Sequence, residues 1–241
     1  MYNNVALIFG GGIGVRASTH GIPKQFLKVN QIPIIIRTIR KFDENPNIDA
    51  IVLVCVDGYQ NHLQTLINDY KIKKVVTIVT GGSSGQESIY NGLHYIHSMP
   101  LADDSVVLIH DAVRPMITSA LIDECIDSTK ILGNGISALV CHETVASCEN
   151  GLVNEIYPRD KLSLLRAPQA FFFKDIWRCH EQAIRDNRSD FTDSANMASY
   201  YGHKLHLVTC DSKNIKITYP EDVFILKALL AAEENSQILG L

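Results

Sequence analysis

Residues 5–27 read VALIFGGGIGVRASTHGIPKQFL: an apolar run of strand length feeds a loop with glycines at 10, 11, 12 and 14, followed by Arg16 and Lys24. Outward from this stretch, short apolar runs alternate with stretches of helical period. The runs are VALIFG (5–10), AIVLVCVD (50–57), KVVTIVTG (74–81), SVVLIHDA (105–112) and ISALVCHE (136–143). Between them lie IPIIIRTIRKFDEN, YQNHLQTLINDY, QESIYNGLHYIHS and SALIDECIDSTKIL. That order is the signature of βαβ units, so the expected fold is α/β, a mostly parallel sheet flanked by helices in one domain spanning 1–241. Strands that are apolar almost throughout predict burial on both faces.

The pattern changes at 144–173, TVASCENGLVNEIYPRDKLSLLRAPQAFFF. This segment reads as an extended β-hairpin around Glu149, Asn150 and Gly151, too polar along one face for the central core, as an arm packing against another subunit would be. Helices at 174–187 and 192–202, a strand at 204–211, the short NIKITYPED (214–222) and a helix with Pro220 at its start complete the chain.

Composition excludes several classes of function. The formal net charge is −4, which provides no global field for nucleic acid or an anionic membrane, so any phosphate-binding surface must be local. The six cysteines (55, 125, 141, 148, 179, 210) have no C-x-x-C spacing, which argues for buried free thiols rather than zinc or a disulfide framework. No run approaches the roughly 18 apolar residues of a membrane span, and MYNNVALIFGG lacks the features of a signal peptide. The expected location is the cytoplasm.

The opening loop is the first candidate site. Gly10, Gly11, Gly12 and Gly14 let backbone N–H groups approach an anion closely, and Arg16 and Lys24 add mobile positive charge, as a nucleoside triphosphate would require. A turn that merely joins strand to helix is the plainer alternative. Gly12, Gly14 and Ala17 also match G-x-G-x-x-A, which would suit an NAD(P)-dependent reductase, but Gly21 and Pro23 interrupt the helix that motif needs and no acidic residue precedes Asp43. A Walker A loop is excluded because the sequence contains no Gly-Lys dipeptide.

Three further segments carry candidate chemistry. In GGSSGQES (81–88), Gly81 and Gly82 allow close backbone approach while Ser83, Ser84 and Ser88 either cap the next helix or bond a base or ribose. In IHDAVRP (109–115), at the end of the fourth strand, Asp111 is placed to coordinate Mg2+ or accept from a substrate hydroxyl, and Arg114 to clamp a phosphate. A structural Asp–Arg pair would explain the same residues. Lys216, and Arg159 in the arm, are unremarkable taken singly.

Taken in order, GGGIGVR…PKQF, GG…S, HDAVRP, Thr144-Val145, PRD…APQ, TD at 192–193 and NIKIT-PED resemble the cytidylyltransferase family of 2-C-methyl-D-erythritol 4-phosphate and ribitol 5-phosphate, over nearly the whole chain. The resemblance implies a Rossmann-like nucleotidyltransferase fold that is homodimeric through an exchanged β-arm. It implies an enzyme that uses CTP and Mg2+ to make a CDP-polyol and pyrophosphate. Gly10, Gly11, Gly12 and Gly14 would line the CTP, Arg16 and Lys24 would hold its phosphates, and Lys216 would neutralise the α-phosphate. Gly82, Ser83, Ser88 and Ala112 would contact cytosine and ribose. Asp111, Arg114, Thr144 and Arg159 would contact the polyol phosphate, the last two from the partner subunit. FGGGIGVR, PKQFL and Val113 look more like the ribitol 5-phosphate branch, NIKIT-PED and TDSANMASYYG like the methylerythritol branch, and the reading favours ribitol 5-phosphate. Phe9, Ser83 and Ala167 depart from the residues usual in both branches. A non-catalytic relative is disfavoured because Arg16, Lys24, Asp111, Arg114, Arg159 and Lys216 are all present.

Overall fold

The computed structural model describes residues 1–10 and 21–239, with side chains as far as 235. Gly11, Gly12, Gly14 and Arg16 lie outside the described residues.

Strand β1 (Tyr2–Gly10) is followed by a small hairpin, β2 (Lys28–Val29) and β3 (Ile32–Pro33), and then by α1 (Ile34–Asp43), β4 (Ala50–Cys55), α2 (Gln60–Asp69), β5 (Val75–Thr80), α3 (Gly85–His97) and β6 (Leu101–Asp111). The chain continues through α4 (Ser119–Leu132), β7 (Asn134–Val140), the hairpin β8 (Val145–Glu149) and β9 (Leu152–Tyr157), and β10 (Ser163–Phe172). It ends with α5 (Phe173–Arg185), α6 (Ser194–Tyr200), β11 (Leu207–Thr209) and α7 (Asp222–Leu239). Seven strands form one sheet in the order β11-β7-β10-β6-β1-β4-β5. All neighbours are parallel except β10, which runs antiparallel to both β6 and β7.

The strands are apolar on both faces because both faces are covered. Along β1, Ala6 and Ile8 pack with α1, α2 and α4, while Val5 and Leu7 pack with α3, α5 and α6. The same alternation runs through β4 and β6, as the two-residue period of a strand requires. A third cluster, with Val29, Ile34, Val113, Met116, Ile217, Leu226 and Leu230, seats α7 against the β2–β3 hairpin and the loop after β6. It thereby fixes the segment that carries Lys216.

The structure corrects the expected arm at its C-terminal side. Only β8 and β9 form a separate hairpin, closed by Asn150 and Gly151 with φ of +50° and +79°, the backbone that an Asn-Gly hairpin turn favours. Residues 163–172 belong to the central sheet instead. Their start, Ser163 to Leu165, is exposed, but Ala167 to Phe171 are buried between β6 and β7. NIKITYPED also forms no strand among the described residues; it is an extended segment in which Ile217 N–H donates to the Val113 carbonyl at 2.9 Å.

Candidate active site

Because β1 and β6 are parallel neighbours with Phe9 opposite Asp111, the glycine loop and the HDAVRP turn leave the same edge of the sheet. Parallel α/β sheets bind ligands at this edge. At Gly10 the approach is close: a Cβ there would stand 3.0 Å from the Ala112 methyl. Gln25 Nε2 donates to the Gly10 carbonyl at 2.9 Å, which ties the 3-10 turn Lys24–Phe26, with Lys24 half-buried, to the end of β1. Phe26 stacks on Tyr59 at 5.2 Å and anchors that turn from the other side.

Asp111 is the electrostatic centre. Its Oδ2 accepts from Arg114 Nε at 2.8 Å and its Oδ1 pairs with Lys216 Nζ at 2.6 Å. Burial alone would push this carboxyl up, but Lys216 and then Arg114 outweigh burial and hold it at about 2. Arg114 Nη1 donates to the Asn214 carbonyl at 2.9 Å, and Asn214 Nδ2 donates to the Ala167 carbonyl at 2.8 Å, so β10 and the β6 loop together position the 214–216 segment. The neighbouring His110 is fully buried beside Phe42. Burial lowers it to about 4, so it is neutral at physiological pH and serves the core rather than the chemistry.

The serine loop caps a helix. Ser84 accepts from Glu87 N–H at 3.1 Å, and Glu87 reaches back to accept from both the backbone N–H (2.7 Å) and the hydroxyl of Ser83, a variant of the capping box. Ser88 is buried, donating to the Ser84 carbonyl at 2.8 Å and accepting from Gly82 N–H at 3.0 Å. Ala112 likewise has both backbone groups engaged, with Phe9 and Thr38. The hydroxyls of Ser84 and Ser88 are thus engaged in capping and bracing the start of α3, and Ser83 and Ser84 border a separate cavity with Gln86, Tyr90 and Arg188.

A cavity of about 260 Å3 lies between the ends of β1, β6 and β10 and the start of α6. Asp111, Arg114 and Lys216 line it, with Phe9, Arg166 and Gln169. Thr144 and Arg159, expected in a partner subunit's site, do not line this cavity in their own subunit: both are exposed, before and after the β8–β9 hairpin. Among the described residues no three His, Cys, Asp or Glu side chains gather into a metal cage. Asp111 has a cationic donor on each oxygen, so a magnesium ion would suit this site only where phosphate oxygens and water supply most of its ligands.

The sequence assigned no role to Gln169, Asp193, Arg166 or Asn214. Gln169 Nε2 donates to Asp193 Oδ2 at 3.0 Å, its Oε1 accepts from Ala195 N–H at 2.8 Å, and Asp193 caps α6 through Asn196 N–H at 2.7 Å. The APQ and TD letters thus mark the two halves of one cavity wall. Arg166 and Asn214, 48 residues apart, had no local signal at all.

The family model described as 2-C-methyl-D-erythritol 4-phosphate cytidylyltransferase (IspD) matches residues 4–232. The chain belongs to that family. It is therefore a CTP-dependent nucleotidyltransferase by membership. Across 238 residues this cytidylyltransferase is 43% identical to the ribitol-5-phosphate cytidylyltransferase of Vibrio parahaemolyticus serotype O3:K6, covering 98% of this chain and 100% of that one. It is 34% identical to the 2-C-methyl-D-erythritol 4-phosphate cytidylyltransferase of Clostridium novyi, covering 95% and 97%. The crystal structure of 4-diphosphocytidyl-2C-methyl-D-erythritol synthase from Anaerococcus prevotii superposes with a TM-score of 0.80 at 24% identity, over 95% of this chain and 96% of that one, and establishes the nucleotidyltransferase fold. No described helix is long and apolar enough to cross a membrane.

Proposed function

We propose that this cytidylyltransferase transfers CMP from CTP to ribitol 5-phosphate, releasing pyrophosphate and CDP-ribitol for a surface polymer. The observation that carries the reading is the Lys216–Asp111–Arg114 cluster at the end of β6, in a chain with 43% identity to a ribitol-5-phosphate cytidylyltransferase. A phosphate oxygen of the polyol phosphate attacks the α-phosphorus of CTP in line. The bond to the β-phosphate oxygen breaks, and pyrophosphate leaves with the electron pair. The nucleophile is already ionised near neutral pH, so no general base is needed. The chain's task is to position two anions and to stabilise charge on the equatorial oxygens.

In this reading Lys216 neutralises the α-phosphate while Asp111 holds its ammonium in place. Arg16 and Lys24 hold the β- and γ-phosphates over the amides of Gly10, Gly11, Gly12 and Gly14. Gly82, Ser83, Ser88 and Ala112 form the rim that faces cytosine and ribose, and Asp111 and Arg114 orient the polyol phosphate. Bound magnesium would neutralise triphosphate charge, with Asp111 the carboxylate on the protein side. The β8–β9 hairpin exposes Leu152, Val153 and Ile156 at 72%, 61% and 64%, apolar surface that a second copy would cover. Exchange of this arm would make a homodimer and carry Thr144 and Arg159 into the partner's site. A cytoplasmic location follows from the use of CTP.

Pyrophosphate release from CTP and Mg2+, with ribitol 5-phosphate and 2-C-methyl-D-erythritol 4-phosphate side by side, tests the reading. A higher kcat/KM with ribitol 5-phosphate is expected. The reverse order would assign the chain to isoprenoid precursor synthesis, and turnover of neither would overturn both assignments.

A further inference from the structure

The cations around the cavity are unequally neutralised. Arg114 and Lys216 share Asp111, and the other carboxylate in the wall, Asp193, is committed to Gln169 and the α6 cap. Arg166, on β10, forms no ion pair with a carboxylate among the described residues; the acidic side chain that acts on it, Asp211, does so from beyond ion-pair distance. Its Nη1 is spread over the carbonyls of Asp211, Ser212 and Asn214 at 3.4, 3.1 and 2.9 Å, and no bond within the described residues engages its Nε or Nη2.

The Asn214 carbonyl also accepts from Arg114 Nη1 at 2.9 Å. Two guanidinium groups therefore converge on one neutral oxygen, their Nη1 atoms within about 6 Å of each other, close enough for like charges to oppose one another. Burial, and Arg114 beside it, both lower the pKa of Arg166. Two arginines and a lysine line the cavity against two carboxylates, Asp111 and Asp193, which leaves a positive excess in its wall. A dianion would relieve it, and the planar guanidinium fork is shaped to take phosphate oxygens two at a time.

We propose that Arg166 is a phosphate-binding residue of the acceptor site: its unpaired Nε–Nη2 edge, with Arg114, takes the phosphate monoester of the polyol phosphate within the same subunit. The proposal rests on the reading above only in needing a phosphate monoester as acceptor, and it holds for either polyol. It makes the acceptor's phosphate site partly independent of any residue delivered by a partner's arm. The carbonyls of the 211–214 loop hold Arg166 in place before the substrate arrives, so little side-chain freedom is lost on binding.

Arg166→Met and Arg166→Lys, assayed on the full chain, test this. Wild-type turnover with each polyol phosphate first checks the activity itself; its failure would count against the assigned reaction and not against the phosphate site. With the substrate that wild type prefers, Arg166→Met should raise KM for the polyol phosphate by about tenfold or more, the loss expected for a charge-assisted hydrogen bond. The inhibition constant for inorganic phosphate competing with the polyol phosphate should rise in parallel, with KM for CTP within twofold of wild type and Arg166→Lys intermediate. A fall in kcat with KM for the polyol phosphate unmoved would mean that Arg166 only braces the 211–214 loop, and would overturn the proposal. A second measurement needs no variant to fold: phenylglyoxal modification of Arg166, mapped by peptide, should be slowed by inorganic phosphate or polyol phosphate. Equal modification with and without them would also refute it.

Discussion

Lys216→Met separates the electrostatic role of Lys216 from its packing, because methionine keeps an apolar stem next to Ile217 while the ammonium disappears. In the wild-type protein Nζ sits 2.6 Å from Asp111 Oδ1 and is the largest influence lowering that carboxyl, from 3.8 to about 2 against the upward push of burial. Two effects follow. Removing a fixed cation aimed at the charge that develops on the α-phosphate should cost about 3 kcal/mol of barrier, roughly 10²-fold or more in kcat. Asp111 should also titrate nearer its ordinary value. A carboxyl whose pKa is depressed by folding stabilises the fold above its unfolded pKa, and that stabilisation is lost as pH falls from near 3.8 through about 2. The Lys216 side chain is 42% exposed, so after solvent screening the wild-type advantage at pH 7 should be about 1 kcal/mol, shrinking toward zero by about pH 2. Steady-state pyrophosphate release at saturating CTP and urea midpoints at several pH values read the two effects separately. A kcat within threefold of wild type would refute the assignment of Lys216. A stability gap that does not change with pH would refute the Asp111 coupling.

Other residues have equally direct consequences. His110 and His180 are buried, and burial lowers each to about 4 from 6.5, so the stability they confer is complete above pH 6.5 and disappears toward pH 4. Acidification from pH 7.5 to 5 should therefore cost on the order of 2 kcal/mol per histidine, and a flat urea midpoint over that range would contradict it. At Gly92 an added Cβ would meet Leu7 Cδ1 at 2.3 Å and Val54 Cγ2 at 2.9 Å, so Gly92→Ala should destabilise by about 1–3 kcal/mol while leaving KM for CTP unchanged. At Gly82 the clash is with the Glu87 side chain, 2.3 Å from its Cγ; Gly82→Ala should release the Ser83–Glu87 cap at a cost of about 1 kcal/mol and raise KM for CTP severalfold. The proposed exchange of the β8–β9 arm predicts that wild type sediments as a dimer and that replacing Leu152 and Ile156 together by Asp yields monomers with lower activity; a wild-type monomer would refute the exchange.

The order of strands and helices is legible in the chain because a strand covered on both faces has to be apolar throughout and a helix on its surface has to be apolar on one side. Both are local requirements, met in runs such as AIVLVC and IIIRTIRKF. The glycine loop and HDAVRP are legible as flexible or charged residues at strand ends, and Lys216 as a single charge flanked by apolar residues. Their grouping is not, since the contact between Asp111 and Lys216 spans 105 positions that only the parallel pairing of β1 with β6 and the seating of α7 bring together. Strand β10 shows the limit most plainly. Following the polar Pro158–Lys161 run, it looks like part of an exposed hairpin, and only the position between β6 and β7 decides that Ala167 to Phe171 are interior. The same placement puts Arg166 over the 211–214 carbonyls and Gln169 against Asp193. Sequence by itself determined which chemistry this protein carries, because side-chain type is a local property; tertiary structure alone decided which of those groups share a cavity and which charge is left without a partner, because electrostatic pairing depends on distance in space.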